Sequence, residues 1–185
     1  QLIELNLTYN QLTLEDEKSQ KILASMQNLE TLYLNDNSLT NISAINNMKN
    51  LKLLYIEGNE QIDLSQIEDI ISNLNNLRLG TNALKTIKNC SPEKIQKLNI
   101  DYSAYLTEIP DLSIFTNLKT LSLRSLRKVN DFSSISNLNS LNNLYLSGNN
   151  LRDKLPDFSK LSNLQGLYLS SCSLWSEDLE KLKVL

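Results

Sequence analysis

At 185 residues the chain is long enough for one domain with a sizeable core, and Leu, Asn and Ser dominate it while Gly is limited to four residues. The formal net charge of −3 leaves no basic stripe to neutralise a row of phosphates, which argues against nucleic acid as a partner. No apolar run reaches the roughly 18 to 20 residues that cross a bilayer, and the sequence has no His, the commonest base and metal ligand, so neither membrane insertion nor a cofactor is expected.

The segment LIELNLTYNQL at 2–12 sets a pattern, LxxLxLxxNxL. It returns as LETLYLNDNSL at 29–39, LNNLRLGTNAL at 74–84 and LNNLYLSGNNL at 141–151. Degraded copies are LKLLYIEGNEQI, IQKLNIDYSAYL, LKTLSLRSLRKV and LQGLYLSSCSL. The eight starts are Leu2, Leu29, Leu51, Leu74, Ile95, Leu118, Leu141 and Leu164, spaced by 27, 22, 23, 21, 23, 23 and 23 residues. Side chains alternate across a strand, so each LxL turns two apolar residues inward and the residue between them outward. One short strand per repeat then stacks into a parallel sheet.

Between the strands, TLEDEKSQKILASM carries a Thr13 to Asp16 capping-box spacing and reads as a helix. In the second repeat Leu39, Ile42, Ile45, Met48 and Leu51 recur at every third position. That spacing suits an extended or 3₁₀ return path, in which residues i and i+3 eclipse. The third repeat leaves two residues between Asn59 and Ile62 where the template leaves one, as do the fifth between Ser103 and Leu106 and the sixth between Leu126 and Val129. Ser91 and Pro92 suit one helical turn after the fourth repeat. Val129, Phe132, Ile135, Leu138 and Leu141 renew the every-third pattern, and SEDLEKLKVL, opening at Ser176, reads as a last helix.

Asn10, Asn37, Asn59, Asn82 and Asn149 stand where the chain leaves its strand, and a carboxamide has both donor and acceptor for the turn's buried backbone groups. Leu126 holds that position in the sixth repeat and cannot hydrogen-bond, so the ladder is expected to break there. Cys172 holds it in the eighth. Four strand spacings put Cys172 about 19 Å from Cys90, beyond the roughly 7 Å a disulfide tolerates, so two free, buried thiols are expected.

A period of this length with this signature is identified as the leucine-rich repeat, over essentially the whole chain. The third, fifth and sixth repeats resemble its cysteine-containing variety and the others its bacterial or typical varieties. The resemblance implies an α/β repeat solenoid: a horseshoe with a parallel concave sheet of about eight short strands and a convex side of 3₁₀ or extended segments and a few short helices, one domain over 1–185. LTNISAINNMKNL and VNDFSSISNLNSL are similar to the internalin-like repeats of bacterial surface proteins and to the phosphatase-regulator class of intracellular solenoids. What these imply is a protein-recognition scaffold, secreted or at a cell surface in the first case, an intracellular subunit docking an enzyme in the second. The first is favoured. Neither transfers a binding residue, because those positions vary between members. The segment shows no polar capping unit at either end, and solenoids cover their terminal leucines with such units, so either a longer parent chain or a neighbour that covers the ends is expected.

Binding residues must therefore be sought on the outward positions. The residue between the strand leucines gives one column, Asn6, Tyr33, Tyr55, Arg78, Asn99, Ser122, Tyr145 and Tyr168. Two positions on comes a second: Thr8, Asn35, Glu57, Gly80, Asp101, Arg124, Ser147 and Ser170. Tyr and Arg combine contact area with a polar end and are enriched at binding hot spots, although Tyr also suits an exposed strand position on propensity alone. The candidate partner site is Tyr33, Tyr55, Arg78, Asn99, Asp101, Arg124, Tyr145 and Tyr168, with a protein ligand expected ahead of a glycan. No catalytic role is expected, since a Ser or Cys nucleophile finds no His. Carboxylate pairs such as Glu15 with Glu17 or Glu177 with Asp178 fall in helical segments whose dipole they suit. Sequons at Asn6, Asn41 and Asn89 arise readily by chance in a chain this rich in Asn and Ser.

Overall fold

Repeated LxL triplets dictate the architecture: one three-residue strand per repeat, then a return limb. The computed structural model describes residues 2–185. Its strands are β1 Glu4–Asn6, β2 Thr31–Tyr33, β3 Leu53–Tyr55, β4 Asn76–Arg78, β5 Lys97–Asn99, β6 Thr120–Ser122, β7 Asn143–Tyr145 and β8 Gly166–Tyr168. Pairing is parallel and without stagger, so Leu5, Leu32, Leu54 and Leu77 align, as do Leu98, Leu121, Leu144 and Leu167. The inner members of these rows are buried, and each contributes roughly 1.5–3 kcal/mol of apolar burial.

The every-third apolar positions form 3₁₀ turns at Ser43–Asn47 and Ser133–Asn137, as their spacing requires. From Ile45 on, each apolar N–H donates to the carbonyl of the apolar residue three before it: Ile45 to Ile42 at 3.0 Å, Met48 to Ile45 at 2.9 Å and Leu51 to Met48 at 2.9 Å. One eclipsed face thus holds both the side chains and the backbone bonds of the limb. Further 3₁₀ segments are Leu64–Ile67, Thr86–Asn89 and Ser176–Val184. The α-helices are α1 Glu17–Ala24, α2 Glu68–Ile71 and α3 Thr81–Lys85.

Several local expectations are corrected. Helix α1 starts from Asp16, whose carboxylate accepts from Ser19 N at 2.8 Å; Thr13 does not cap it. The Thr13 carbonyl is already held by Thr40 N of the next repeat, at 3.1 Å, and Leu14 then turns the chain with a φ of 56°. The segment opening at Ser176 is 3₁₀, with Asp178 reaching back to accept from Trp175 N at 2.9 Å. SPEKI makes a single turn, closed by Lys94 N donating to Ser91 O at 3.1 Å.

The asparagine ladder works by reaching back one repeat. Asn59 Nδ2 donates to Leu34 O at 2.9 Å and to Ile56 O at 3.1 Å, while its Oδ1 accepts from Leu39 N at 3.1 Å. Asn37 and Asn149 repeat the arrangement, and Asn149 thereby satisfies the N–H of Leu126, whose side chain is buried. Asn82 is not part of the ladder. After Arg78 the fourth repeat runs through Gly80 directly into α3, which carries Asn82 outward, where its amide meets only the Glu60 carboxylate. The ladder therefore lacks a rung in the fourth repeat as well as at Leu126.

The eight strands fall into two four-stranded sheets, β1 to β4 and β5 to β8. At this seam, side chains replace the backbone ladder. Leu79 N donates to Ser103 Oγ at 3.2 Å, where its counterparts Leu34 and Ile56 donate to the carbonyls of Tyr55 and Arg78. At the other end Gln96 N donates to Ser72 Oγ at 3.0 Å, and the Asn75 carbonyl accepts from the Asn99 amide.

Candidate functional site

Unstaggered pairing brings the outward residue of each strand directly beside that of the next. In the first sheet Tyr33 aligns with Tyr55 and Tyr55 with Arg78. The two phenol rings stack with centroids 4.5 Å apart, and the Arg78 guanidinium lies 4.7 Å from the Tyr55 ring. Its second side is covered by Tyr102, 5.4 Å away. In the second sheet Tyr145 and Tyr168 stack at 4.3 Å with planes only 5° apart, and Arg124 lies 5.5 Å from the Tyr145 ring. The concave face thus carries two aromatic and guanidinium stacks, one on either side of the seam. Each ring pair is worth about 0.5–1.5 kcal/mol beyond its area, so the side chains are held in place before any ligand arrives.

Burial lifts the phenol pKa of Tyr33 and of Tyr145 above the ordinary range, and the neighbouring Tyr168 phenol raises Tyr145 further. Both remain neutral donors at physiological pH. Tyr168 is 46% exposed and Tyr33, Tyr55, Arg78 and Tyr145 are half-buried, so all five present surface to a ligand.

Asp101 does not. It is 1% exposed, with Oδ1 accepting from Ser122 Oγ at 2.6 Å and Arg124 N at 2.7 Å, and Oδ2 accepting from Arg124 Nε at 2.7 Å. Asn35 makes the same sideways bond in the second repeat, accepting from Glu57 N at 3.1 Å. A short polar side chain at this end of the strand reaches the neighbouring backbone, which turns it into part of the sheet. Asp101 acts by positioning Arg124 beside Tyr145. Asn99 is likewise occupied: its amide donates to Asn75 O and its oxygen accepts from Asp101 N at 3.3 Å.

The sequence reading missed the loop that follows β5. Tyr102 takes a φ of 59°, and the chain bulges over the place where the fourth repeat has no turn of its own. Ala104 N donates at 2.6 Å to the carboxylate of Glu57, two repeats earlier. Burial pushes the Glu57 carboxyl above the usual range, opposed by the Ala104 bond and the Arg78 charge. The loop leaves Tyr102 and Tyr105 about half exposed on the face. The extra residue between Ser103 and Leu106 was the available signal.

Among the described residues no cluster of metal-ligating side chains occurs, and no helix is long and apolar enough to cross a membrane. Cys90 and Cys172 are free and buried; desolvation pushes the Cys90 thiol up to about 12 and raises that of Cys172.

Residues 27–72 match the family description Leucine Rich repeats (2 copies), and residues 140–161 match Leucine Rich Repeat. Among curated proteins no sequence matches. Among solved structures, a leucine-rich-repeat protein of Leptospira interrogans is similar at 28% identity over 100% of this chain and 47% of its own, with a TM-score of 0.52. Two internalins of Listeria monocytogenes are also similar. Internalin C2 has 25% identity over 97% of this chain and 75% of its own with a TM-score of 0.46. Internalin InlF has 24% identity over 89% and 46% with a TM-score of 0.43. The chain spans less than half the length of the Leptospira protein and of InlF.

Proposed function

We propose, from the premise that this chain is a leucine-rich-repeat solenoid, that it binds a protein partner on its concave face as a secreted or surface-exposed bacterial recognition module. The observation that carries this reading is the pair of pre-stacked groups, Tyr33, Tyr55 and Arg78 on one sheet and Arg124, Tyr145 and Tyr168 on the other. Ordering long side chains on binding costs about 0.5–1.5 kcal/mol each, and these are already ordered by one another. The bacterial Leptospira relative and the internalin-like style of the repeats support the placement.

Photo-crosslinking residues substituted at Tyr55 and Tyr145, with Lys49 and Lys160 as convex controls, identify which face meets the partner. Adducts are expected from the concave positions. The partner so captured is then titrated against Tyr55→Ala, Arg78→Ala and Tyr145→Ala. Loss of a central anchor typically costs about 2 kcal/mol or more, close to a thirtyfold weakening. Adducts from Lys49 and Lys160 alone, with unchanged affinity for the three variants, would overturn the assignment.

A further inference from the structure

The loop after β5 divides the concave face into two hollows of opposite charge. On its far side a pocket of about 470 Å³ is lined by Arg78, Tyr102, Ala104, Tyr105, Ser125, Arg127 and Lys128, with no acidic residue among them. On the near side a pocket of about 460 Å³ includes Asp36 and Glu60, and Tyr105 borders both.

The basic hollow is unusual in a chain of net charge −3. Among the described residues Arg78, Arg127 and Lys128 make no ion pair, and what sets them apart from the other unpaired cations is that they line one hollow. Arg78 Nε is buried with no hydrogen-bond partner. Its guanidinium lies 4.7 Å from the Tyr55 ring and 5.4 Å from the Tyr102 ring, contacts that favour its present position. Lys128 Nζ rests 5.4 Å from the Tyr105 ring, so the aromatic walls steer both cations toward the same space. Arg78 as a whole is only half-buried and lines the hollow, and a carboxylate is the acceptor that matches a guanidinium's planar fork. The Glu57 carboxylate feels the Arg78 charge but neither lines the hollow nor makes a hydrogen bond to Arg78; its Oε1 accepts from Ala104 N.

We propose that this hollow binds a carboxylate side chain of the protein partner, presented beside an aromatic residue that packs on Tyr102 and Tyr105. The proposal rests on the concave-face reading and names the chemistry it selects. A long polyanion fits less well, since beyond Tyr105 it meets Asp36 and Glu60; one acidic residue meets only the cations.

The test is NMR titration of the full chain with the tetrapeptide Ac-Gly-Phe-Glu-Gly-NH2, its Gln counterpart and a heparin hexasaccharide. The Arg78 Nε–H signal, assigned by its loss in Arg78→Lys, should shift with the Glu peptide and not with the Gln peptide. The double variant Arg127→Glu, Lys128→Glu, whose residues are exposed and make no ion pair, should fold normally and lose at least about tenfold in Glu-peptide affinity. Equal shifts with both peptides, tighter binding of heparin, or an unaffected double variant would each overturn the proposal. The two readings separate in the partner titration. A partner that still binds the double variant and is lost on Tyr145→Ala leaves the concave face standing without this pocket.

Discussion

Asn59 and Asn82 occupy the same place in the repeat and should respond oppositely to truncation. Asn59→Ala leaves the Leu39 N–H without its acceptor and removes donors from Leu34 O and Ile56 O, at a residue only 4% exposed. An orphaned buried donor costs about 1–3 kcal/mol, and each lost bond to a carbonyl adds roughly 0.5–1.5 kcal/mol. Relaxation recovers some of this, so the expected loss is on the order of 2–4 kcal/mol. With a urea slope of about 1–3 kcal/mol per molar, the midpoint should fall by roughly 1–2 M. Asn82→Ala removes one exposed contact to Glu60 and places a better helix former in α3, so it should stay within about 0.5 kcal/mol. Far-UV circular dichroism in urea measures both. The slopes must be compared with the midpoints, because a repeat array can unfold piecemeal. Equal midpoints for the two variants would refute the reasoning that reach-back bonding, and not the Asn itself, carries the stability.

Cys90 and Cys172 should resist alkylation in the folded protein at pH 8 and take two labels once unfolded, read by intact mass; a rapid label on native Cys90, whose thiol sits near 12, would contradict its burial. The raised Glu57 carboxyl favours the folded state below its ordinary value of 4.5, a contribution lost as pH rises through the folded pKa. Glu57→Gln keeps an oxygen for Ala104 N and should abolish that dependence relative to wild type as pH rises from 4.5; an unchanged pH slope would count against the assignment. Ser103→Ala should speed hydrogen exchange at Leu79 N–H while leaving Ile56 N–H, bonded to Arg78 O at 2.8 Å, protected. Equal protection at Leu79 in both proteins would mean that Ser103 does not close the seam.

Strand positions were legible because their cause is local: the LxL triplet fixes which side chains turn inward, and Leu32, Leu54, Leu77 and their successors stack as that rule requires. The 3₁₀ limbs were legible for the same reason, an i to i+3 spacing meeting an i to i+3 bond. The cap at Asp16 and the fate of Asn82 were not. The cap depends on a backbone group that a neighbouring repeat has already taken, as Thr40 takes the Thr13 carbonyl, and Asn82 on α3 starting at Thr81, which the LxxLxLxxNxL spacing does not register. Of the eight candidate site residues, the four tyrosines, Arg78 and Arg124 lie on the exposed stacks. Asp101 was misread as surface because alternation says which face a side chain leaves, not whether it then bends to its neighbour's backbone; Asn99 keeps partial exposure while its amide bonds that backbone.

The seam and the site have one origin. The fourth repeat, the shortest at 21 residues between Leu74 and Ile95, makes no ladder turn and passes from β4 straight into α3. The Asn99 amide then takes the Asn75 carbonyl, Ser72 and Ser103 take the neighbouring N–H groups, and the sheet divides. With no fourth turn beneath it, the loop after β5 can lean back as far as Glu57 and stand Tyr102 and Tyr105 on the concave face. It covers one side of Arg78 and separates the acidic hollow from the basic one. A perfect eightfold repetition would give a smooth aromatic wall; the missing rung gives it a partition, and with it two hollows of opposite charge.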